Sequence, residues 1–238
     1  MPYRKEQFVN GEIYHVVLRG IDDNLIFKDI NDYYRGIFSI YEFNNAKSVT
    51  IQYRRKIRIR LKKESNRGPS SIAEERDKLV EVLTFCFMPN HIHLLLKQLK
   101  DNGITKFMSK VGTGYGGYFN RKYSRKGYVF QNRFSAVHIT NEDQLKNVFV
   151  YIHTNPIALI EPHWKEKGIR NPEKVIKFLE NYKWSSCQDY IGEKNFPSVT
   201  DRDSIWRIMS GQVGCKKFVD CWVRYKGKIR FPELSLEE

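Results

Sequence analysis

Two histidines separated by one residue, His91 and His93, stand at the head of the run His91-Ile-His-Leu-Leu-Leu96. If that run is a β-strand, its period of two turns both imidazoles to one face and Ile92 to the other, so two nitrogens can converge on one cation. Pro89-Asn90 before the pair and three leucines after it would bury the strand and leave the histidines near its start. A second set closes a helical pattern, Phe149-Val-Tyr-Ile-His-Thr-Asn-Pro156. Tyr151 and Asn155 are four apart and share a helix face, offering a phenol and an amide oxygen. His153 is two steps on, roughly 200° around the helix from Tyr151, and is excluded from the set. Each fragment also has a plain structural reading. The histidines suit a pair of satisfied strand residues, Tyr151 a core aromatic, and Asn155 a helix end before proline.

The elements that must position these residues follow from periodicity. Tyr14 to Arg19 is a β-branched run closed by Gly20 and reads as a strand, and Asp32 to Phe43 has helical spacing. Val80 to Phe87 and His91 to Lys97 are strands joined by the Met88-Pro89-Asn90 turn, hence antiparallel neighbours. Ile104 to about Arg125 suits a helix, although Gly112, Gly114, Gly116 and Gly117 weaken it and call for close packing or a bend. Arg133 to Ile139 is a further strand. Asn141, followed by Glu142 and Asp143, starts a helix that runs through Tyr151 and stops by Pro156. This order is that of an α+β, ferredoxin-like antiparallel sheet with helices on one face and one more helix appended. We place the core domain at 1–160, with a basic insert at 47–78, and a helical C-terminal extension at 161–238.

The chain of 238 residues has 41 Lys and Arg against 27 Asp and Glu, a net charge of +14, with 14% aromatic residues. Cations interleaved with aromatics suit phosphate neutralisation and base stacking, so the expected partner is nucleic acid. A mean hydropathy of −0.57 and the lack of a long apolar run argue against a membrane span. The charged N-terminus is unlike a secretory signal, which points to the cytoplasm. Cys86, Cys187, Cys215 and Cys221 form no CxxC pair and read as ordinary thiols. Within the insert, the run from Tyr53 to Lys63 alternates Ile57, Ile59 and Leu61 with Arg58, Arg60 and Lys62. Period two suggests a strand or hairpin arm with one cationic face, and Glu64 to Ser71 a mobile loop.

Taken together, the motifs resemble the IS200-type single-strand transposases with one catalytic tyrosine, and among them the REP-associated tyrosine transposases of the HUH endonuclease class. The matching stretches are Tyr14-His-Val-Val-Leu-Arg-Gly20, Phe87-Met-Pro-Asn-His-Ile-His-Leu-Leu-Leu96, Tyr118-Phe-Asn-Arg121, Phe130-Gln-Asn-Arg-Phe134, Tyr151-Ile-His-Thr-Asn-Pro156 and Trp184-Ser-Ser186. The resemblance implies an HUH nuclease core in which His91 and His93 bind a divalent metal, Mg²⁺ or Mn²⁺. It also implies that Tyr151 is the nucleophile and that Asn155 completes the metal site. Single-stranded or hairpin DNA is the implied partner, cleaved and rejoined through a 5′-phosphotyrosine, by a monomer or a homodimer. The insert is longer than the family's usual link, and the tail beyond about Tyr190 matches nothing. Candidates for phosphate contacts are Arg54, Arg55, Lys56, Arg58 and Arg60 on the insert, with Arg19, Arg121, Lys122, Arg125 and Arg133 beside the motifs.

Other chemistries are disfavoured. A two-histidine phosphoesterase would want a hydroxyl residue two places after each histidine, where this chain has His93 and Leu95. No HExxH, GKS/T phosphate loop or GxSxG string is present. The remaining rival is a non-catalytic DNA- or RNA-binding protein on the same fold.

Overall fold

A computed structural model describes residues 7–50, 53, 54, 56, 59, 60, 76–131 and 134–225. Four antiparallel strands, β1 (Ile13–Arg19), β2 (Val80–Met88), β3 (His91–Gln98) and β4 (Ser135–Ile139), lie in the order β2-β3-β1-β4. Helices α1 (Ile30–Phe43) and α2 (Gly103–Lys122) connect them as a ferredoxin-like unit requires, so the α+β fold class read from the sequence is the one observed.

These two helices cover one face of the sheet, where Val16, Leu18, Phe85, Phe87, Ile92, Leu94 and Leu96 pack with Ile37, Ile40, Phe107, Val111 and Phe119. Each such side chain withdrawn from water contributes roughly 1.5–3 kcal/mol before entropy is counted. Helix α3 (Glu142–Thr154) covers the opposite face, packing Val148, Phe149 and Ile152 with Cys86, Met88 and Leu95. Covered on both sides, the central strands are apolar at both parities, and β3 is buried at seven of its eight positions.

Helix α1 begins with a reciprocal capping box: Asp29 accepts from the Asn31 and Asp32 amides, and Asp32 accepts from the Asp29 amide. Asp32 is fully buried and also accepts from Lys122 Nζ at 2.6 Å, Tyr118 Oη at 3.0 Å and Tyr123 Oη at 2.6 Å, from the far end of α2. Burial pushes its carboxyl upward, but the bonds from Lys122, Tyr123, the Lys28 amide and Tyr118 outweigh it and hold the group below the usual range. A charged knot therefore ties the start of α1 to the end of α2.

Beyond α3, a 3-10 turn (Asn155–Leu159) leads to α4 (Trp164–Lys167), α5 (Pro172–Asn181), α6 (Cys187–Ile191), α7 (Asp203–Ile208) and α8 (Gly211–Tyr225). These helices add Trp164, Val175, Leu179, Tyr190, Cys215 and Trp222 to the core under α3. Trp184 to Ser186 run along the open edge of β2: the Phe87 amide donates to the Trp184 carbonyl and the Ser186 amide to that of Phe85. The edge is thereby satisfied and closed to further pairing. The four cysteines are free thiols, with Cys86, Cys187 and Cys215 buried. Among the described residues no helix is long and apolar enough to cross a membrane.

The insert departs from expectation. Tyr53, Arg54, Lys56, Ile59 and Arg60 are helical, not extended. Residues outside the sheet must satisfy their own backbone, and Arg and Lys favour the helix that does so. Arg55, Arg58, residues 61–63 and the loop read at 64–71 lie outside the described residues.

The glycines of α2 divide by environment. A Cβ on Gly114 would come within 2.2 Å of the Phe43 ring, whereas one on Gly117 would meet nothing within 4 Å. Gly114→Ala is expected to destabilise the protein by about 1–3 kcal/mol, and Gly117→Ala to stabilise it by up to about 1 kcal/mol. Urea unfolding of both variants beside the wild type measures the pair, and equal effects would contradict the packing.

Candidate active site

The site is assembled by strand register. Strand β3 pairs with β1 so that Arg19 faces His91, Val17 faces His93 and His15 faces Leu95. Directly paired residues share a sheet face, so His15, His91 and His93 all project toward α3, away from α1 and α2. His15 and His93 are fully buried. The rings of His91 and His93 are 4.7 Å apart and nearly perpendicular, at 81°.

Each histidine of the pair has a defined neighbour at Nδ1. Asn90 Oδ1 is 2.7 Å from His91 Nδ1, and accepts the proton that sits there. His15 Nε2 is 3.1 Å from His93 Nδ1. His93 Nε2 is buried with no hydrogen-bond partner among the described residues. Burial holds the His93 imidazole far below its usual range, and the neighbouring charges of His15, His91, Arg19 and Lys165 push the same way. His93 is therefore neutral at physiological pH, the state a metal ligand needs.

Helix α3 carries Tyr151 to this cluster. Its ring, half-buried, meets His93 edge to face at 5.6 Å and His15 at 5.8 Å. The Asn141 side chain caps the helix by accepting from the Gln144 amide, and the turn beginning Asn155-Pro156 ends it. Asn155 lies one turn after Tyr151, and its Nδ2 donates to the Tyr151 carbonyl at 2.9 Å, which leaves Oδ1 as the amide atom able to ligate. Lys165, at the start of the extension, sets its ammonium 5.7 Å from the centre of the Tyr151 ring.

Two imidazole nitrogens and an amide oxygen suit Mn²⁺ or Mg²⁺ with positions open for substrate oxygens. No group of three His, Cys, Asp or Glu side chains that could hold a metal is found among the described residues, so a cation here would rest on this mixed set. The buried Nε2 of His93 fits such a role, since a polar atom without a partner in the interior costs free energy that a ligand recovers.

Other sequence-derived candidates are distributed over the molecule. Arg19 lies beside His91 and pairs with Asp23 at 3.0 Å. Arg121 is on the opposite side of the sheet, on a groove between α1 and α2 that Tyr34, Arg35, Phe38 and Tyr118 also line. Lys122 is held by Asp29 and Asp32, and its charge is balanced inside the fold. Arg125 packs its guanidinium 5.6 Å from the Phe119 ring. Arg54 lies 3.9 Å from Glu42, and Lys56 and Arg60 are exposed. Arg133 falls outside the described residues, with Arg55 and Arg58. Sequence reasoning missed His15 and Lys165. His15 carried a signal in its strand parity, but nothing local identified its neighbour; Lys165 carried none.

His153, set aside on helical geometry, does lie elsewhere: it is fully buried and its Nε2 meets Ser186 Oγ at 2.8 Å. Burial lowers its pKa to about 3. The unfolded chain takes up a proton near pH 6.5 that the folded one refuses, so this contribution to stability is full above 6.5 and falls as pH drops toward the folded value. Between pH 6 and 5, His153→Gln should flatten the fall of unfolding free energy with pH by up to about 1.4 kcal/mol per unit. Urea melts across that window test this, and an unchanged slope would place the proton uptake on other groups.

With the geometry established, the chain can be set beside known proteins. Residues 41–155 match the family model described as Transposase IS200 like. The likeness expected from the motifs is thus found independently over the stretch that holds His91, His93, Tyr151 and Asn155. Among solved structures, one described as a REP-associated tyrosine transposase bound to a REP hairpin is 13% identical, covering 85% of this chain and 96% of that one, with a TM-score of 0.42. Another, a bacterial tRNA(His) guanylyltransferase (Thg1)-like protein in complex with ATP, is 11% identical over 75% of this chain and 73% of that one, with a TM-score of 0.37. No curated protein matches the chain significantly.

Proposed function

We propose that this protein is a metal-dependent single-strand DNA endonuclease and strand transferase of the IS200-like transposase type. The observation that carries the reading is the arrival of Tyr151, from a helix more than fifty residues downstream, against His93 of the β3 pair, with His15 of β1 beside it. In this reading His91 and His93 hold a divalent cation through Nε2, and Asn155 Oδ1 adds an oxygen. When bound, the cation supplies a Lewis acid for a non-bridging phosphate oxygen.

Tyr151 Oη attacks phosphorus, the bond to the 3′ oxygen breaks, and the phenol's proton ends on that oxygen. A 5′-phosphotyrosine and a free 3′-hydroxyl result. The adduct conserves the ester, so another 3′-hydroxyl can displace the tyrosine without ATP. A phenol ionises near pH 10 and needs help as charge develops. The ammonium of Lys165 beside the ring supplies positive potential there, and the charge of Arg19, which with that of Lys165 acts on His93, adds to it. The motif resemblance to REP-associated enzymes makes hairpin DNA the substrate proposed.

Tyr151→Phe removes only the attacking oxygen. It should leave folding and DNA affinity unchanged and abolish covalent adduct formation with labelled hairpin-bearing single-stranded DNA and Mn²⁺, read after SDS denaturation and peptide mass analysis. His91→Ala and excess EDTA should each stop cleavage while binding persists. An adduct on another tyrosine would move the nucleophile, and full cleavage in EDTA would reject the metal.

Affinity is assigned chiefly to the basic surface, including the insert. Replacing Arg54, Arg55, Arg58 and Arg60 together by Ala should weaken DNA binding and flatten its dependence on log salt by about 0.7 for each phosphate no longer neutralised. An unchanged slope in salt titrations would leave the insert as a solvated charge run.

A further inference from the structure

We propose that His15 is a positioning residue for the metal site: its Nε2 accepts the Nδ1 proton of His93 and so keeps the lone pair of His93 on Nε2. The inference rests on the reading of His91 and His93 as metal ligands. The two rings are within 5° of parallel, with centroids 5.2 Å apart. Their N–N separation of 3.1 Å and one ring radius on each side account for nearly all of that distance. The parallel rings therefore meet nitrogen to nitrogen at their edges, a geometry that admits one hydrogen bond between them.

A neutral imidazole carries one proton, and between these two facing nitrogens only one proton fits. If His15 donates, His93 must carry its own proton on Nε2, where it would be a buried donor with no acceptor among the described residues. If His93 donates, His15 holds its own proton on its buried Nδ1, a comparable cost, but His93 Nε2 becomes a buried lone pair, which a cation can take up. Only the second arrangement serves the site. His91 reaches the same state by a different route, because the turn residue next to it supplies Asn90 Oδ1. His93 lies deeper in the strand, beyond reach of that turn, and takes its acceptor from β1.

The type of acceptor also matters. A carboxylate in place of His15 would fix the same tautomer but would bring negative charge to a buried site that must receive a phosphate. Imidazole orients His93 without that charge, and its ring forms part of the surface that Tyr151 meets edge-on at 5.8 Å. With its Nε2 engaged by His93, His15 does not turn that nitrogen to the cation; it acts through its neighbour.

The test combines nitrogen-15 NMR of the imidazoles in the metal-free protein with calorimetric Mn²⁺ titration of the wild type, His15→Leu, His15→Gln and His93→Ala. We expect His93 to carry its proton on Nδ1 in the wild type. His15→Leu keeps the volume and removes the acceptor, and should weaken Mn²⁺ binding about 10–100-fold. His15→Gln returns an acceptor oxygen and should bind within a few-fold of the wild type, with metal-free hairpin DNA affinity unchanged in both. A His93 proton found on Nε2 in the wild type would overturn the proposal even if no variant folds, as would wild-type Mn²⁺ affinity in His15→Leu when His93→Ala has lost it. Should His93→Ala and wild type bind Mn²⁺ equally, the metal reading itself fails and takes this inference with it.

Discussion

The antiparallel register between β1 and β3 is the constraint on which the site depends. With Arg19 opposite His91 and Val17 opposite His93, one strand's histidines and the other's lie on a common face, His15 diagonal to His93. A shift of one residue would reverse the parity of β1, turning His15 into the packing under α1 and α2 and Tyr14 or Val16 into the site. That register is strongly specified because both faces are buried: Val16 and Leu18 have no alternative place, nor do Ile92, Leu94 and Leu96. The same packing that stabilises the sheet thus holds the imidazoles in position.

The two sides of the sheet have different tasks. Under α1 and α2, a large aromatic core and the buried Asp32 knot bind the helices to one another. Breaking that knot from one side would leave a buried carboxylate without its partners, so Lys122 serves the fold before it can serve a phosphate. Across the sheet, α3 brings Tyr151 to the histidines, and the C-terminal helices back α3 with Trp164, Tyr190 and Trp222. His153, on the same helix as Tyr151, is turned into that backing and bonds Ser186, which in turn accepts from the Phe85 amide at the edge of β2. One face of α3 presents the nucleophile of the proposed reaction, and another anchors it to the sheet.

Electrostatics follow the same division. The protein carries a net charge of +14, yet His93 at the centre of the site is kept neutral by burial, and Arg19 and Lys165 set positive charge at its margin. Neutral imidazoles are what a cation requires, and peripheral cations are what a polyanionic substrate requires. A protonated histidine at the centre would repel the first while adding little to the second.

Much of this was legible in the sequence. Periodicity located the four strands and the helices α1, α2 and α3 to within a few residues, since apolar spacing at two or 3.6 is a local property. Parity placed His91 and His93 on one face, and the turn of a helix placed Tyr151 with Asn155 and apart from His153. Tertiary structure decided the rest. That His15 meets His93, that Lys165 reaches Tyr151 and that Asp32 consumes Lys122 depend on chain segments 78, 14 and 90 residues apart, which no local pattern encodes. The insert shows the same limit from the other side: alternation of Ile and Arg at 57–60 suits a strand, but a strand exists only where another strand's edge is available, and the described residues Ile59 and Arg60 are helical. Spacing determines which residues can share a face, and only packing determines what that face will meet.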